Sequence, residues 1–304
     1  MKTVKPGRGH FIVRLRGKLG LPAVFLCCLF FFLAGLFASN LVSQYRVLQE
    51  EPGLRSKSRK LQSSFVETAK FEYNLLPQGQ TGDDSITLIP FQVLSWKPRA
   101  LYFPNFATAE QCESIISSAK PRLKPSTLAL RKGETDETTK GVRTSSGVFL
   151  SASEDVTGVL DVIEEKIARA TMIPKSHGEA FNILRYEIGQ KYDSHYDAFN
   201  PSEYGPQKSQ RVASFLLYLS DVEVGGDTMF PFENGMNVPE NYDFKECIGL
   251  KVKPRQGDGL LFYSLFPNGT IDPTSLHGSC PVTRGEKWVA TKWIRDQEQS
   301  DADE

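Results

Sequence analysis

Residues 181–197 read FNILRYEIGQKYDSHYD, two strand-like runs separated by a turn at Gly189. Short runs of the same kind, divided by Gly and Pro, continue through RVASFLLYLS (211–220), GGDTMF (225–230), GLKVKP (249–254), GDGLLFYS (257–264), SLHGSCPV (275–282) and EKWVATKWI (286–294). Many short strands at this pitch predict a β-sandwich or jelly roll. The mouth between the sheets of such a fold can hold a small ligand.

Helical patterns precede this strand-rich half. After strand-like runs at residues 91–96 and 100–106, we expect a helix over residues 108–119 with Thr108 as its N-cap. A second, longer helix is expected over residues 153–170 with Ser153 as its cap. The sequence therefore predicts a mainly β domain with flanking helices (α+β) over residues 86–297, with its jelly-roll core at about residues 180–297.

Two histidines and a carboxylate stand out in this core. Alternation along a strand would place His195 and Asp197 on one face, and His277 comes from a distant strand. Two imidazoles and one carboxylate suit Fe(II), with open positions for a co-substrate and dioxygen. A zinc hydrolase can use the same three ligand types, so the triad alone leaves the metal open.

A lysine in the last strand bears on that choice. In GEKWVATKWI, the two-residue period places Lys287 on the same face as Val289, Thr291 and Trp293, and places Lys292 on the other face. We therefore expect Lys287 to point inward, where it would receive the distal carboxylate of a bound 2-oxo acid.

Composition limits the remaining functions. The chain has 304 residues, with 36 basic and 36 acidic side chains and 40% hydrophobic residues, which allows one sizeable domain plus a tail or anchor. Basic residues in the body alternate with acidic ones and form no stripe with aromatics. We expect no nucleic-acid partner.

The N-terminal region has the pattern of a membrane anchor. Residues 19–42 are uncharged and about long enough to cross a bilayer as a helix, and the preceding residues 1–18 are basic. The positive-inside rule then predicts a single-pass type II protein with a cytosolic N-terminus and a lumenal catalytic domain. We expect it in the endoplasmic reticulum and/or Golgi membrane, with a polar lumenal stem at residues 43–85 and an acidic tail at residues 298–304. A cleaved signal peptide is the alternative.

Two smaller features agree with a lumenal location. Asn268 begins an N-glycosylation sequon in a turn-rich segment. Three cysteines lie beyond the anchor, which favours one disulfide and one free thiol. We expect Cys247 to pair with Cys280, because both lie in the strand-rich half; three free thiols remain the alternative.

The core motifs resemble a known family. The segments RYEIGQKYDSHYDAF, RVASFLLYLSDVEVGGDTMFP and SLHGSCPVTRGEKWVATKWI are similar to those of plant-type prolyl 4-hydroxylases, in the 2-oxoglutarate- and Fe(II)-dependent dioxygenase superfamily. The similarity extends over about residues 86–297. One departure is Asp227, where Glu would be more usual.

The resemblance implies roles for individual residues. Iron would be held by His195, Asp197 and His277. 2-Oxoglutarate would be bound by Lys287, Tyr186 and Thr228. The peptide would be bound by Arg143, Ser145 and Arg211, with Trp293 as a wall of the pocket. The implied reaction is hydroxylation of peptidyl proline to 4-hydroxyproline in proline-rich secreted or cell-wall polypeptides. It consumes O2, converts 2-oxoglutarate to succinate and CO2, and uses ascorbate.

Three other functions stay open at this point. Another lumenal 2-oxoglutarate oxygenase, for instance one acting on lysine, would share the same site. A Golgi glycosyltransferase would share the anchor and stem but would alternate strands with helices. A non-catalytic module that binds proline-rich polypeptides would share the fold. The sequence does not define the oligomeric state.

Overall fold

The computed structural model describes residues 75–76, 86–237 and 242–299. These residues belong to one compact unit, Tyr73–Glu304. The predicted cytosolic tail, the anchor at residues 19–42 and most of the predicted stem and acidic tail lie outside the described residues. Within the predicted stem, the two-residue strand β1 (Leu75–Leu76) pairs with β2 (Ile86–Thr87).

The domain is built on an antiparallel sheet of eight strands, here called the major sheet. Its spatial order is β3 (Gln92–Trp96), β4 (Arg99–Phe103), β13 (Gly259–Tyr263), β9 (Arg211–Tyr218), β16 (Lys287–Arg295), β7 (Phe181–Tyr186), β6 (Ser146–Leu150) and β5 (Lys124–Pro125). The longest strands, β9 and β16, lie together at the centre of this sheet.

A second antiparallel sheet of four strands, the minor sheet, packs against the first. Its order is β12 (Leu250–Val252), β11 (Thr228–Phe230), β14 (His277–Ser279) and β8 (Tyr192–His195). A two-stranded ribbon, β10 (Val224–Gly225) and β15 (Val282–Arg284), completes the strands.

Helices cover the outer face of the major sheet. They are α1 (Ala109–Ala119) and α2 (Val159–Thr171), and a short helix α3 (Pro201–Tyr204) follows β8. Single 3-10 turns occur at Lys120–Arg122, Ala152–Glu154, Lys175–His177, Glu233–Gly235 and Pro273–Ser275. The mainly β fold with flanking helices is thus confirmed, and it is consistent with a jelly-roll core.

The two helix predictions had different outcomes. Helix α1 begins after Thr108, whose side chain and that of Gln111 form a capping box, as predicted. The second prediction was wrong at its start. Ser153 lies in a 3-10 turn, and α2 begins only after Gly158, which has a left-handed φ of 71°. The carboxylate of Asp155 accepts from the Leu160 backbone N–H and serves this helix instead.

Alternation along the central strands divides the core into two layers. One cluster joins the helices to the outer side chains of the sheet, such as Ile183, Phe215 and Ala290. The other joins inner side chains, such as Leu216 and Val289, to the minor sheet. Each fully buried aliphatic side chain contributes about 1.5–3 kcal/mol. A pocket lies in this inner layer, between the two sheets.

Candidate metal centre and its pocket

The predicted cluster of His195, Asp197 and His277 is present. The two histidines are direct partners across the β8–β14 pair, and their ring centroids are 4.4 Å apart. One ligand atom from each of the three residues lies within 4.8 Å of the others. The alternation argument was wrong for the carboxylate, because β8 ends at His195 and Asp197 follows it in a bend.

The ligand atoms face one another. Nε2 of His195 lies 3.6 Å from Oδ1 of Asp197, and Nε2 of His277 lies 3.5 Å from Oδ2. On the far side of each ring, Nδ1 donates to a backbone carbonyl, that of Asp193 at 2.9 Å and that of Ser275 at 3.0 Å. A carbonyl oxygen can only accept, so Nδ1 carries the proton and Nε2 offers its lone pair to the cluster.

The protonation states also suit a metal. Burial alone would raise the pKa of the Asp197 carboxyl, but His277, His195 and Arg211 outweigh it and hold that pKa well below its usual range. Burial lowers the pKa of His277 to about 4, although Asp197 opposes this change. An ionised carboxylate beside a neutral imidazole is the state in which these groups bind a cation. The donor set therefore fits a divalent transition metal.

The cluster opens into a pocket between the two sheets. Its lining includes most of the predicted site residues: His195, Asp197, His277, Lys287, Tyr186, Thr228, Arg143 and Trp293. Val289 and Thr291 also line it, as their alternation with Lys287 predicted. Lys292 points to the opposite side of the sheet, where its Nζ lies 2.5 Å from Oε1 of Glu164. The prediction that Lys287 is the inward cation is confirmed.

Lys287 begins β16 and is only 1% exposed. Its Nζ donates to Oγ of Ser279 at 3.0 Å and lies 5.4 Å from the centroid of the Tyr186 ring. Among the described residues, no carboxylate is within ion-pair distance of this ammonium. Burial lowers the pKa of Lys287 to about 7, and Asp227 opposes this shift. A buried cation without a counter-charge is costly, so the site suits an anionic ligand.

Two hydroxyl groups lie beside this lysine. Tyr186 ends β7 opposite Lys287 in the strand register, and burial raises the pKa of Tyr186, so the hydroxyl stays neutral. Thr228 begins β11, and its Oγ1 accepts from the Tyr218 hydroxyl at 2.8 Å. Both side chains are 2% exposed. The lysine end of the pocket is therefore polar, and Leu184, Leu216 and Val289 form an aliphatic part of the remaining wall.

The residues predicted to bind the peptide lie at different depths. The Arg143 guanidinium lies 4.8 Å from the centroid of the Tyr192 ring, which itself stacks on His195 at 3.6 Å. Nε of Arg143 donates to Oγ of Ser145 at 3.3 Å. These contacts form a continuous stack from the loop before β6 to a metal ligand.

Trp293 and Arg211 lie on the two central strands of the major sheet, β16 and β9. Trp293 lines the pocket and is 7% exposed, and its buried Nε1 has no hydrogen-bond partner among the described residues. Arg211 is not part of the lining. Its guanidinium makes two hydrogen bonds of 2.7 Å to Glu179 and lies 3.7 Å from the centroid of the Trp293 ring. The structure thus brings Arg211 against the back of Trp293.

The cysteines are arranged as the sequence analysis expected. Cys247 and Cys280 form a disulfide with a Cα–Cα distance of 5.5 Å, and Cys112 is free and buried. Near Cys247, the Phe244 carbonyl accepts from the backbone N–H of Ser194, next to a metal ligand, at 2.9 Å. The disulfide therefore connects two parts of the domain. One is the segment around Phe244, which hydrogen-bonds to β8, and the other is the residue that follows β14.

Three contributing residues were not selected from the sequence. They are Ser214, which contacts Asp197, Tyr218, which contacts Thr228, and Ser279, which contacts Lys287. Ser279 could have been predicted from the sequence, because it lies two residues after His277 on a strand and so lies on the same face. For Ser214 and Tyr218 no local signal exists, since each contact joins the two sheets.

Similarity to a known family model identifies the class of protein. Residues 181–295 match the family model described as the 2OG-Fe(II) oxygenase superfamily. This class uses Fe(II), 2-oxoglutarate and O2, typically with ascorbate, and the matched segment contains the His195, Asp197 and His277 cluster and Lys287. The match decides against the zinc hydrolase, and the two-sheet core decides against the glycosyltransferase.

The chain belongs, within that class, to the prolyl 4-hydroxylase family. It is 69% identical to "Probable prolyl 4-hydroxylase 9" of Arabidopsis thaliana over 286 residues, covering 94% of this chain and 97% of that protein. It is 58% identical to "Prolyl 4-hydroxylase 13" of the same plant over 281 residues, covering 92% and 96%.

Solved structures of prolyl hydroxylases are also similar. The viral collagen prolyl hydroxylase of Paramecium Bursaria Chlorella virus-1 aligns with a TM-score of 0.48 and 24% identity, covering 64% of this chain and 95% of that chain. The family assignment rests on the sequence relatives and not on this structural overlap.

Proposed function

We propose that the protein hydroxylates peptidyl proline to 4-hydroxyproline in proline-rich secreted or cell-wall polypeptides, with decarboxylation of 2-oxoglutarate to succinate and CO2. One observation carries this proposal: the His195, Asp197 and His277 cluster lies in the same pocket as Lys287, a buried lysine without a carboxylate partner among the described residues. The first group suits the iron, and the second suits the distal end of the co-substrate.

Each part of the pocket then has one task. His195, Asp197 and His277 would hold the iron, which would supply the oxidising chemistry that couples loss of CO2 to hydroxylation of the substrate. Lys287 neutralises the distal carboxylate, and the hydroxyls of Tyr186 and Thr228 donate to it. The aliphatic wall, including Leu216 and Val289, excludes water from the reacting atoms.

The peptide would bind across the mouth of the pocket. A proline-rich segment in polyproline II conformation is already extended and presents its carbonyls at regular intervals, which suits a surface of aromatics and arginine. Arg143 and Trp293 both line the pocket, and Ser145 accepts a hydrogen bond from Arg143. Arg211 acts in this proposal by holding Trp293 in place, because its guanidinium is committed to Glu179.

We further propose a type II membrane protein of the endoplasmic reticulum or Golgi, with a glycan on Asn268. The proposal is supported by the uncharged segment at residues 19–42 and by the disulfide, since oxidising compartments favour disulfides. Asn268 lies in an exposed turn after β13, where an oligosaccharide would meet no obstacle. In the part of the chain that the structure describes, no helix is long and apolar enough to cross a membrane.

The test is an assay of both products. The full chain receives Fe(II), 2-oxoglutarate, ascorbate and a proline-rich peptide, and succinate is measured together with peptide mass. We expect one added oxygen atom on the peptide per succinate, and neither product from His195→Ala. Succinate formation without oxidation of proline would indicate that the enzyme hydroxylates another residue, such as lysine. Neither product from folded, iron-loaded protein would favour the binding module.

A further inference from the structure

Ser279 lies at the polar end of the pocket, in contact with Lys287. It ends β14, is 8% exposed and lines the pocket together with Lys287 and Thr228. Thr228 is its direct partner across the β11–β14 pair. Two neighbouring strands of the minor sheet therefore bring two hydroxyl groups to the same place as the ammonium of Lys287.

The direction of the hydrogen bonds fixes what these hydroxyls can do. An ammonium can donate hydrogen bonds but cannot accept them, so Lys287 Nζ is the donor in its 3.0 Å hydrogen bond to Oγ of Ser279. In the same way, the Tyr218 hydroxyl donates to Oγ1 of Thr228 at 2.8 Å. Each of the two accepting hydroxyls keeps a proton of its own. Within the described residues, neither of these protons has a protein acceptor.

The lysine end of the pocket thus offers donors only. An ammonium and two hydroxyl protons meet there, and an ionised carboxylate accepts hydrogen bonds at both of its oxygens and donates none. A neutral end group such as a methyl would leave these buried donors unpaired, at a cost of about 1–3 kcal/mol for each neutral group. The arrangement therefore matches a ligand that carries a second carboxylate.

We propose that Ser279 is a specificity-determining residue for the co-substrate, donating to the distal carboxylate of 2-oxoglutarate while it orients the ammonium of Lys287. This inference rests on the proposed co-substrate and adds a residue to its binding site. Its consequence is selection: Ser279 favours a 2-oxo acid with a second carboxylate over one of equal length without it.

Binding measurements without turnover test the proposal. The full-length protein is loaded with Mn(II), which occupies the metal site without supporting the reaction, and is titrated by calorimetry with 2-oxoglutarate. A parallel titration uses 2-oxovalerate, which has the same five-carbon chain but no distal carboxylate. The variants are Ser279→Ala, Ser279→Thr and the control Ser264→Ala. Ser264 is a buried serine whose Oγ has no partner among the described residues, so its loss tests removal of a buried hydroxyl alone.

We expect Ser279→Ala to weaken 2-oxoglutarate binding about tenfold, as for a hydrogen bond to a charged group, and to leave 2-oxovalerate and Mn(II) binding unchanged. Ser279→Thr keeps the hydroxyl and should stay within about threefold of wild type. The proposal is overturned if Ser279→Ala binds 2-oxoglutarate normally, or if it loses both acids equally, as a general packing defect would produce. If wild type itself fails to bind 2-oxoglutarate, the proposed function falls as well.

Discussion

Ser214 donates a hydrogen bond of 2.5 Å from its hydroxyl to Oδ2 of Asp197. Ser214 is fully buried in β9 of the major sheet, whereas the two histidine ligands lie on the minor sheet. This contact therefore links the major sheet to the bend that follows β8 of the minor sheet. It also restrains the one ligand that does not lie on a strand.

Replacement of Ser214 by alanine should weaken metal binding by about tenfold or more, because hydrogen-bonded partners of metal ligands typically contribute 10–100-fold to affinity. The measurement is a Mn(II) titration of metal-free protein. Ser264→Ala serves again as the buried-serine control and should bind Mn(II) normally. An unchanged affinity in Ser214→Ala would mean that Asp197 is held by its backbone alone.

The affinity for 2-oxoglutarate should fall as pH rises. The pKa of Lys287 is about 7 in the ligand-free protein because of burial, with Asp227 acting in the opposite sense. The facing hydroxyls of Tyr186 and Tyr218 stay neutral, because burial raises the pKa of each. The ammonium is thus fully formed below this pH and is lost above it, so the Kd should rise by up to about tenfold per pH unit above neutrality.

Lys287→Arg is the matched control for this pH profile, since a guanidinium stays protonated throughout the range. This variant should bind 2-oxoglutarate more weakly at neutral pH, because its larger head does not fit the lysine site, but its Kd should not change with pH. Calorimetry of Mn(II)-loaded protein from about pH 6 to about pH 9 makes the comparison. A flat profile in wild type would show that the lysine remains charged throughout.

Trp293→Phe should separate peptide binding from co-substrate binding. Nε1 of Trp293 is a buried donor beside the pocket without a partner among the described residues, and under the proposed function a backbone carbonyl of the peptide would be its acceptor. Phenylalanine keeps an aromatic ring against Arg211 but removes the donor. We expect KM for the peptide to rise about tenfold, with an unchanged Kd for 2-oxoglutarate.

Thermal unfolding adds a second readout for this variant. Removing an unsatisfied buried donor relieves a cost to the free protein, so Tm should stay level or rise. A fall in Tm together with losses in both affinities would instead identify Trp293 as a packing residue.

Loss of the disulfide should reduce stability measurably. The bond between Cys247 and Cys280 closes a loop with a sequence separation of 33 residues. Loop-closure entropy for that length gives about 3 to 4 kcal/mol in the free energy of unfolding. Urea unfolding of the Cys247→Ser, Cys280→Ser double variant measures this difference. Reductant should destabilise wild type by a similar amount and leave the double variant unchanged, and equal stability of all forms would contradict the expectation.

The sequence predicts those parts of the site that depend on local periodicity. Alternation along β16 correctly separates Lys287 from Lys292, and the capping residues Thr108 and Gln111 mark the start of α1. Where several cap residues lie close together, as before α2, the sequence alone does not show which of them acts, and the predicted start at Ser153 was wrong.

Contacts between sheets are the part that local periodicity does not predict. Ser214 and Asp197 are close in sequence, but their contact forms only because the minor sheet packs against the major sheet. The same holds for Tyr218 and Thr228. Arg211 is a related case, because its pairing with Glu179 depends on how the segment before β7 lies beside β9.

Lys287 and Lys292 lie on opposite faces of the same strand, and only the second has a carboxylate neighbour supplied by the described protein. Under the proposed function, the counter-charge of the first arrives with 2-oxoglutarate. A ligand that binds only the folded chain raises its unfolding free energy according to RT ln(1 + [L]/Kd). The supply of this metabolite should therefore govern the survival of the enzyme as well as its rate. We expect a cell starved of 2-oxoglutarate to lose the protein to proteolysis, and pulse-chase half-lives at high and low supply would show it.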